Sequence, residues 1–333
     1  DWPDRDRFVL SAGHGSMLIY SILHLIGVEG VTMDELKNFR QLDSKTAGHP
    51  EYGHCPGVEV TTGPLGQGLS TAVGMALAER LLNAQYGDEL VNHRTWVIAS
   101  DGDLQEGVSH EAIALAGHMK LSRLVVLWDD NSISIDGSTT LSDTMDHRAR
   151  FEAAGWTVMS VDGHDAKAVD EALDQARASD KPILIACRTT IGFGAPTKAG
   201  TAGSHGAALG DEEIAGARKA LGWDHGPFDI PQEVYDGWRA AAVCGGEARA
   251  AWEQRLQQSA HLEAFIAQLS GEAPVEAIEA LKAHVKTLLA DKPALATRAA
   301  SGKAINAFWR NHPGLVGGSA DLTGSNNTKA DGQ

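Results

Sequence analysis

Two short apolar runs, each ending in a turn built from oxygen donors, most constrain what this chain can fold into. Thr95 to Ala99 (TWVIA) leads directly into Ser100-Asp101-Gly102-Asp103, and Leu124 to Trp128 (LVVLW) leads into Asp129-Asp130-Asn131. Compact runs of β-branched and large apolar residues bounded by turn formers predict buried strands. Between them, an Ala/Leu-rich segment from Ser109 to about Lys120 carries Ile113 and Ala116 at helical spacing, with Ser109 as its expected cap. Strand, helix and strand in immediate succession form a βαβ unit, and such units build parallel sheets.

The pattern recurs along the chain. Trp156 to Val161 and Pro182 to Cys187 read as strands, with a helix over Ala166 to Ala178 between them. Met17 to Leu25 and Gly68 to Leu82 have helical spacing, the latter rich in the small residues that permit close packing. From Asp211 to Leu289 the chain turns polar and helix-rich, which fits outer helices and a linker. A composition break at Asp291-Lys292-Pro293 precedes an expected helix from Thr297 to Arg310 and a short strand from Leu315 to Gly317. The expected organisation is an α/β core over residues 1–210, a parallel sheet flanked by helices. A helical extension and linker follow over 211–292, and a second domain begins over 293–333.

Charge narrows the partners. The formal net charge is -16, a surface that repels nucleic acid and anionic membrane. An anionic small ligand would then need a local reversal of field, from glycine-rich loops, histidines or a bound cation. Three widely spaced cysteines, Cys55, Cys187 and Cys244, form no CxxC pair, which excludes a disulfide framework and suits a reducing cytosol. No stretch is long and apolar enough to span a membrane, and the first residues are charged rather than signal-like. A soluble, cytoplasmic protein is the expectation.

The two strand ends carry the first chemical motif. In an open parallel sheet, ligands sit beyond the carboxyl ends of the strands. The Asp101 carboxylate, the Asn131 amide oxygen and a nearby backbone carbonyl are the hard donors that Mg2+ or Ca2+ takes, with ligand phosphate and water completing the shell. Gly102 would let the backbone approach a phosphate, and the helix opening near Ser109 would add about 0.3–1 kcal/mol for an anion at its end. The same residue types also make ordinary turns after strands, and on these residues alone both readings stand. A calcium-loop reading fails, because the glycine and glutamate that it requires are replaced by Glu106 and Ala112 counting from Asp101.

Two further motifs surround this one. Thr62-Gly63-Pro64-Leu65-Gly66-Gln67-Gly68, directly before a helix, makes a rigid loop whose amides can face an anion, or simply a tight turn. It is neither a P-loop nor a GxGxxG fingerprint, and the absence of that fingerprint argues against a nucleotide-binding oxidoreductase. His14, His49 and His205 each lie in a short loop of small residues. A lone loop histidine is commonly a surface residue; three converging on one cleft could bind phosphate or sugar hydroxyls and move protons near neutral pH.

These segments, together with Asp4 to Ser11, Gln105-Glu106-Gly107, Ile135-Asp136-Gly137, Ile191-Gly192-Phe193-Gly194, Ser204 to Ala207 and Gly317 to Leu322, stand in the order of the transketolase family. The chain resembles that family over nearly its whole length, and the run GHG, GHP, TGPLGQG and Ser204 to Gly210 favours it over the related deoxyxylulose-phosphate synthases. The resemblance implies the thiamine diphosphate-binding fold and transfer of a two-carbon ketol unit from a ketose phosphate to an aldose phosphate, as in the pentose phosphate pathway or the Calvin cycle. It implies metal ligation by Asp101, Asn131 and the Ile133 carbonyl. Thiamine diphosphate would be contacted by His14, Gly63, Pro64, Leu65, Gly102, Asn131 and His205, with Ile135 and Ile191 beside the thiazolium ring and Asp321 nearby. His14, His49 and His205 would assist proton transfer, Glu106 would join a proton network across a homodimer interface, and His205, Arg298 and Ser325 would hold the sugar phosphate.

Ser100 and Asp103 depart from the family pattern, which usually has glycine and a small or sulfur side chain there; Asp103 is expected to add charge beside the metal. The resemblance also implies a further active-site histidine upstream of these residues. It implies a pyrimidine-binding domain, almost wholly beyond them, that supplies the activating glutamate. A split subunit needing a partner chain, and an inert structural remnant, are the alternatives.

Overall fold

The computed structural model describes residues 2–312, 314–319 and 321–332. Two compact units are present, Asp1–Arg255 and Leu256–Gln333. The strands are β1 (Arg7–Leu10), β2 (Thr95–Ser100), β3 (Leu124–Asp130), β4 (Ile133–Ser134), β5 (Gly137–Ser138), β6 (Thr157–Asp162) and β7 (Ile183–Arg188). In the first unit the helices are α1 (Met17–Ile26), α2 (Met33–Lys37), α3 (Gln67–Tyr86), α4 (Asp101–Gln105), α5 (Gly107–His118), α6 (His147–Ala153), α7 (Ala166–Arg177), α8 (Asp211–Ala220) and α9 (Gln232–Gln258), the last running just past the unit's end.

The sheet has the order β1-β2-β3-β7-β6, with every pair parallel, as the βαβ pattern requires. Its strands are apolar on successive residues because both faces are covered. On one face Val97, Ala99, Val126 and Leu184 pack with Leu69 and Val73 of α3, Ile113 of α5 and Phe151 of α6. On the other, Val125 and Ile185 pack with Ala172 and Ala176 of α7, and Leu10 packs with Ile19, Tyr20 and Leu23 of α1. The chain steps outward from β2 to β3 to β6 and then returns to β7. A right-handed crossover therefore moves α7 to the opposite face from α5 and α6. That reversal opens a crevice at the carboxyl ends of β3 and β7, where an open parallel sheet binds ligands.

β1, a mixed Arg-Phe-Val-Leu run that does not announce a strand, is held by polar ties at its start. Glu59 accepts from Arg5 at 2.7 Å and from the Phe8 amide at 3.1 Å, and Asp6 accepts from the Trp96 indole at 2.8 Å. Helix α9 is tied down by Trp252, whose indole donates to the Leu90 carbonyl at 2.9 Å.

Two local expectations change. Helix α5 begins at Gly107 behind Glu106, so Ser109 is not its cap. Ser109 lies inside the first turn, buried, and its hydroxyl donates to the Asp103 carbonyl at 2.5 Å, closing the end of α4. Residues 315–317 form no strand and run as irregular chain.

The second unit holds α10 (Leu262–Leu269), α11 (Val275–Asp291), α12 (Thr297–Phe308) and α13 (Thr323–Asn326). Helix α12 packs on α11, and Gly302 makes room for Asn327 just past α13, since a β-carbon there would lie 2.9 Å from the Asn327 side chain.

Candidate functional site

Asp101 is the first residue of α4, directly beyond β2, and it is buried. Its Oδ1 accepts from the Trp128 indole at 3.1 Å, while its Oδ2 is buried with no hydrogen-bond partner. Burial, with Asp130 and Asp129 adding to it, pushes the carboxyl up to about 6 against the Trp128 hydrogen bond. A buried carboxylate oxygen without a donor is costly unless a cation or an added donor meets it.

The Ser132 backbone also works against the rise of the Asp101 pKa, which places the loop after β3 near the carboxylate. Within that loop Asn131 Nδ2 donates to Asp129 Oδ2 at 2.9 Å, so its oxygen must take the opposite side, where it accepts from the Ile133 amide at 2.9 Å. Ser132 has φ 62°, a left-handed turn that leads into the β4–β5 hairpin, and that hairpin fixes the backbone at Ile133. One carboxylate, one amide oxygen with a free lone pair and one backbone carbonyl suit Mg2+ or Ca2+ rather than a softer metal. The orphaned Oδ2 fits such an ion.

The glycine-rich loop lies over the start of α4. A β-carbon at Gly102 would come 2.8 Å from Leu65, and one at Gly13 would come 2.7 Å from the Gly63 nitrogen. Gly13 is there because two backbones pass at contact distance, whereas Gly102 gives room to the end of the Leu65 side chain. Gly66, at φ 79°, starts α3, and a β-carbon on it would strike Glu106, Val108 and Ser109.

Asp103, expected to place charge beside the metal, points inward instead. It is wholly buried, accepting from Ser11 Oγ at 2.7 Å and the Gly66 amide at 2.8 Å on one oxygen, and from the Ser100 amide and hydroxyl at 2.9 and 3.0 Å on the other. Ser100 and Asp103 together form a capping box for α4.

The three histidines converge. The His14 and His205 rings stack with centroids 4.8 Å apart, and a β-carbon at Gly63 would lie 3.2 Å from the His49 ring. Burial lowers the His14 pKa, with His205 and His49 lowering it further against Asp103 and Asp129. His14 is thus neutral at neutral pH, able both to donate and to accept a hydrogen bond. His205 Nδ1 is buried without a partner.

The remaining expected residues divide by place. Pro64 and Glu106 are exposed at this end of the sheet, Leu65 and Ile191 half-buried, and Ile135 exposed on the hairpin turn. Asn131, Ile133 and Ser132 also line a cleft of about 830 Å³ with His164, Arg188 and Thr190, at the carboxyl ends of β3, β6 and β7. Arg298, Asp321 and Ser325 belong to the second unit, all exposed there, with Arg298 on α12 and Ser325 on the α13 that packs against it. Sequence reasoning missed Ser11, Trp128 and the inward role of Asp103. A tryptophan at a strand's end beside an acidic turn is the one local signal that pointed to any of them. Cys187 is no candidate nucleophile, since burial pushes its thiol up to about 11.

Residues 1–274 match the family model described as "Transketolase, thiamine diphosphate binding domain". A transketolase of Cereibacter sphaeroides is 55% identical over 332 residues, 99% of this chain and 50% of that protein. A transketolase of Rhodobacter capsulatus is 54% identical over 99% of this chain and 49% of its own length. Among solved structures, a Pichia stipitis transketolase in complex with sedoheptulose 7-phosphate superposes with a TM-score of 0.91 at 40% identity, covering 99% of this chain and 50% of that one. The Leishmania mexicana transketolase gives 0.91 at 43% identity, covering 98% and 49%. The chain spans about half the length of the relatives it matches.

Proposed function

Because this chain belongs to the transketolase family, we propose that it is the diphosphate-binding half of an enzyme that moves a two-carbon ketol unit from a ketose phosphate to an aldose phosphate. The observation that carries this reading is the buried, unpartnered Asp101 Oδ2 set against the Asn131–Ile133 loop beneath the glycine-rich loop. Asp101, Asn131 and the Ile133 carbonyl would hold Mg2+ or Ca2+; Gly63, Pro64, Leu65, Gly102, His14 and His205 would meet the cofactor, with Ile135, Ile191 and Asp321 near its rings. Thiamine diphosphate supplies, when bound, the carbon nucleophile and the electron sink that let a ketose C2–C3 bond break.

This chain's residues bind, orient and move protons. The metal that Asp101 helps to hold would neutralise the diphosphate, which the overall acidic surface would otherwise repel. Neutral His14, with His49 and His205, would exchange protons with sugar hydroxyls, while Arg298 and Ser325 would hold the sugar phosphate. Glu106 would join a proton network across a homodimer interface.

The division into residues 1–210, 211–292 and 293–333 is carried forward with this reading, the last being the start of a pyrimidine-binding domain. A second copy, or a partner chain bearing that domain, would complete the site. A cytoplasmic setting suits three free cysteines, and no helix among the described residues is long and apolar enough to cross a membrane.

Calorimetric titration with thiamine diphosphate, with and without Mg2+, tests the reading. Metal-dependent binding that disappears in Asp101→Ala is the expected result. Metal-independent binding, or binding that survives the substitution, would overturn the assignment of Asp101. If binding occurs but ketol transfer requires an added pyrimidine-domain chain, the split-subunit form of the reading holds.

A further inference from the structure

Asp103 is the most connected buried side chain near the site, and nothing in the proposed chemistry uses it. Its Oδ1 gathers Ser11, 92 residues away, and the Gly66 amide, 37 residues away; its Oδ2 gathers Ser100. Ser11 in turn accepts from the Leu69 amide at 2.9 Å, in the first turn of α3. One carboxylate thus joins the end of β1, the glycine-rich loop, the start of α3 and the end of β2. Those are the segments that carry His14, Gly63 to Gly66 and Asp101. Ser100 and Asp103 also depend on each other, because the capping box needs both side chains.

We propose that Asp103 is a positioning residue that presets the Gly63–Gly66 loop against the Asp101 strand end, with Ser100 as its obligate companion. The proposal rests on the diphosphate-binding reading for its consequence, but the latch itself can be measured without any ligand. Anion binding by backbone amides depends on those amides being held in place beforehand. A neutral isostere cannot do this. In Asp103→Asn, the amide NH2 must face either the Gly66 N–H or the Ser100 N–H, so one donor meets another and one latch opens.

The test begins with amide hydrogen exchange at Gly66 and Ser100 in the ligand-free chain, with Val126 in the middle of β3 as the control for global unfolding. Asp103→Asn should speed exchange at Gly66 or at Ser100, whichever amide loses its acceptor, at least tenfold and leave Val126 unchanged. Thiamine diphosphate affinity in Mg2+ should fall 10- to 100-fold, the usual range for outer partners of a bound group. Its dependence on Mg2+ should persist, unlike that of Asp101→Ala. In the double variant Ser100→Gly/Asp103→Ser the affinity loss should be smaller than the product of the two single losses.

Unchanged exchange at both Gly66 and Ser100 in Asp103→Asn would overturn the proposal, whatever the affinity does. If that variant does not fold, Ser11→Ala decides, since it removes one of the two Oδ1 partners and the acceptor of the Leu69 amide, and should speed Gly66 and Leu69 while leaving Val126 unchanged. If the unsubstituted chain binds no cofactor, the functional reading fails, and the exchange result still decides the latch.

Discussion

Asp101 shows what the site costs the fold. Its carboxyl is pushed from 3.8 up to about 6 by burial, so between those values the folded chain binds more protons than the unfolded one. Its contribution to stability is full below 3.8 and is lost as pH rises through about 6, leaving a penalty at neutral pH that is bounded at about 3 kcal/mol. Asp101→Asn should therefore stabilise the metal-free chain at pH 7, the Asn oxygen still accepting from Trp128. Urea unfolding in chelator should show the gain, and the gap should close towards pH 4. A destabilised Asn variant at pH 7 would count against a strained carboxylate. Gly68 makes the steric counterpart, because a β-carbon there would lie 2.5 Å from the Ser11 Cα, and backbone cannot yield as a side-chain end can. Gly68→Ala should lower stability by about 1–3 kcal/mol in denaturant melts, the usual cost of overpacking. The glycines were legible in the sequence because their type encodes the close approach. Asp103 was not, because its partners are set by topology and no local pattern names them.

At the scale of elements, the runs TWVIA and LVVLW were readable as strands because α3, α5 and α6 cover one face and α7 the other, which forces apolar residues at both parities. β1 escaped because polar ties to Glu59 and Asp6 hold it as much as apolar packing does. Helix α6 escaped as well: it is short, and its buried face is only Phe151 and one histidine. His147 sits edge-on to the Trp128 ring at 5.4 Å, with its Nε2 2.8 Å from Asp143. Burial lowers its pKa, and Arg150 and His110 add to this against Asp143. Here the sign is opposite to that of Asp101. The unfolded chain binds more protons just below 6.5, so stability is present above that value and is lost as pH falls through the lowered folded one. Thermal melts of the chain should show the midpoint falling below pH 6.5, with His14 contributing in the same direction. His147→Gln should flatten that fall. An unchanged pH slope in the variant would assign the effect elsewhere.

For the whole molecule, the question is what completes a chain that covers half of its relatives. Helix α5 and the residue following it turn Val108, Leu115 and Met119 outward, with exposures of 38%, 47% and 44%. At 100° per residue the three lie within about 40° of one another, a continuous apolar stripe. Glu106, the residue proposed for the cross-subunit network, stands at the head of the same helix. A stripe of this kind pairs well with its own copy, since a two-fold axis sets the same residues against each other. The formal charge of -16 opposes such pairing and is screened by salt. Self-association should therefore strengthen, not weaken, between low and moderate ionic strength. Leu115→Glu places like charges across the axis while leaving the buried face of α5 untouched, so it should shift the chain to monomer with its melting temperature at low concentration unchanged. Sedimentation equilibrium at two salt concentrations reads both effects. A chain that is monomeric throughout would remove α5 as the pairing face.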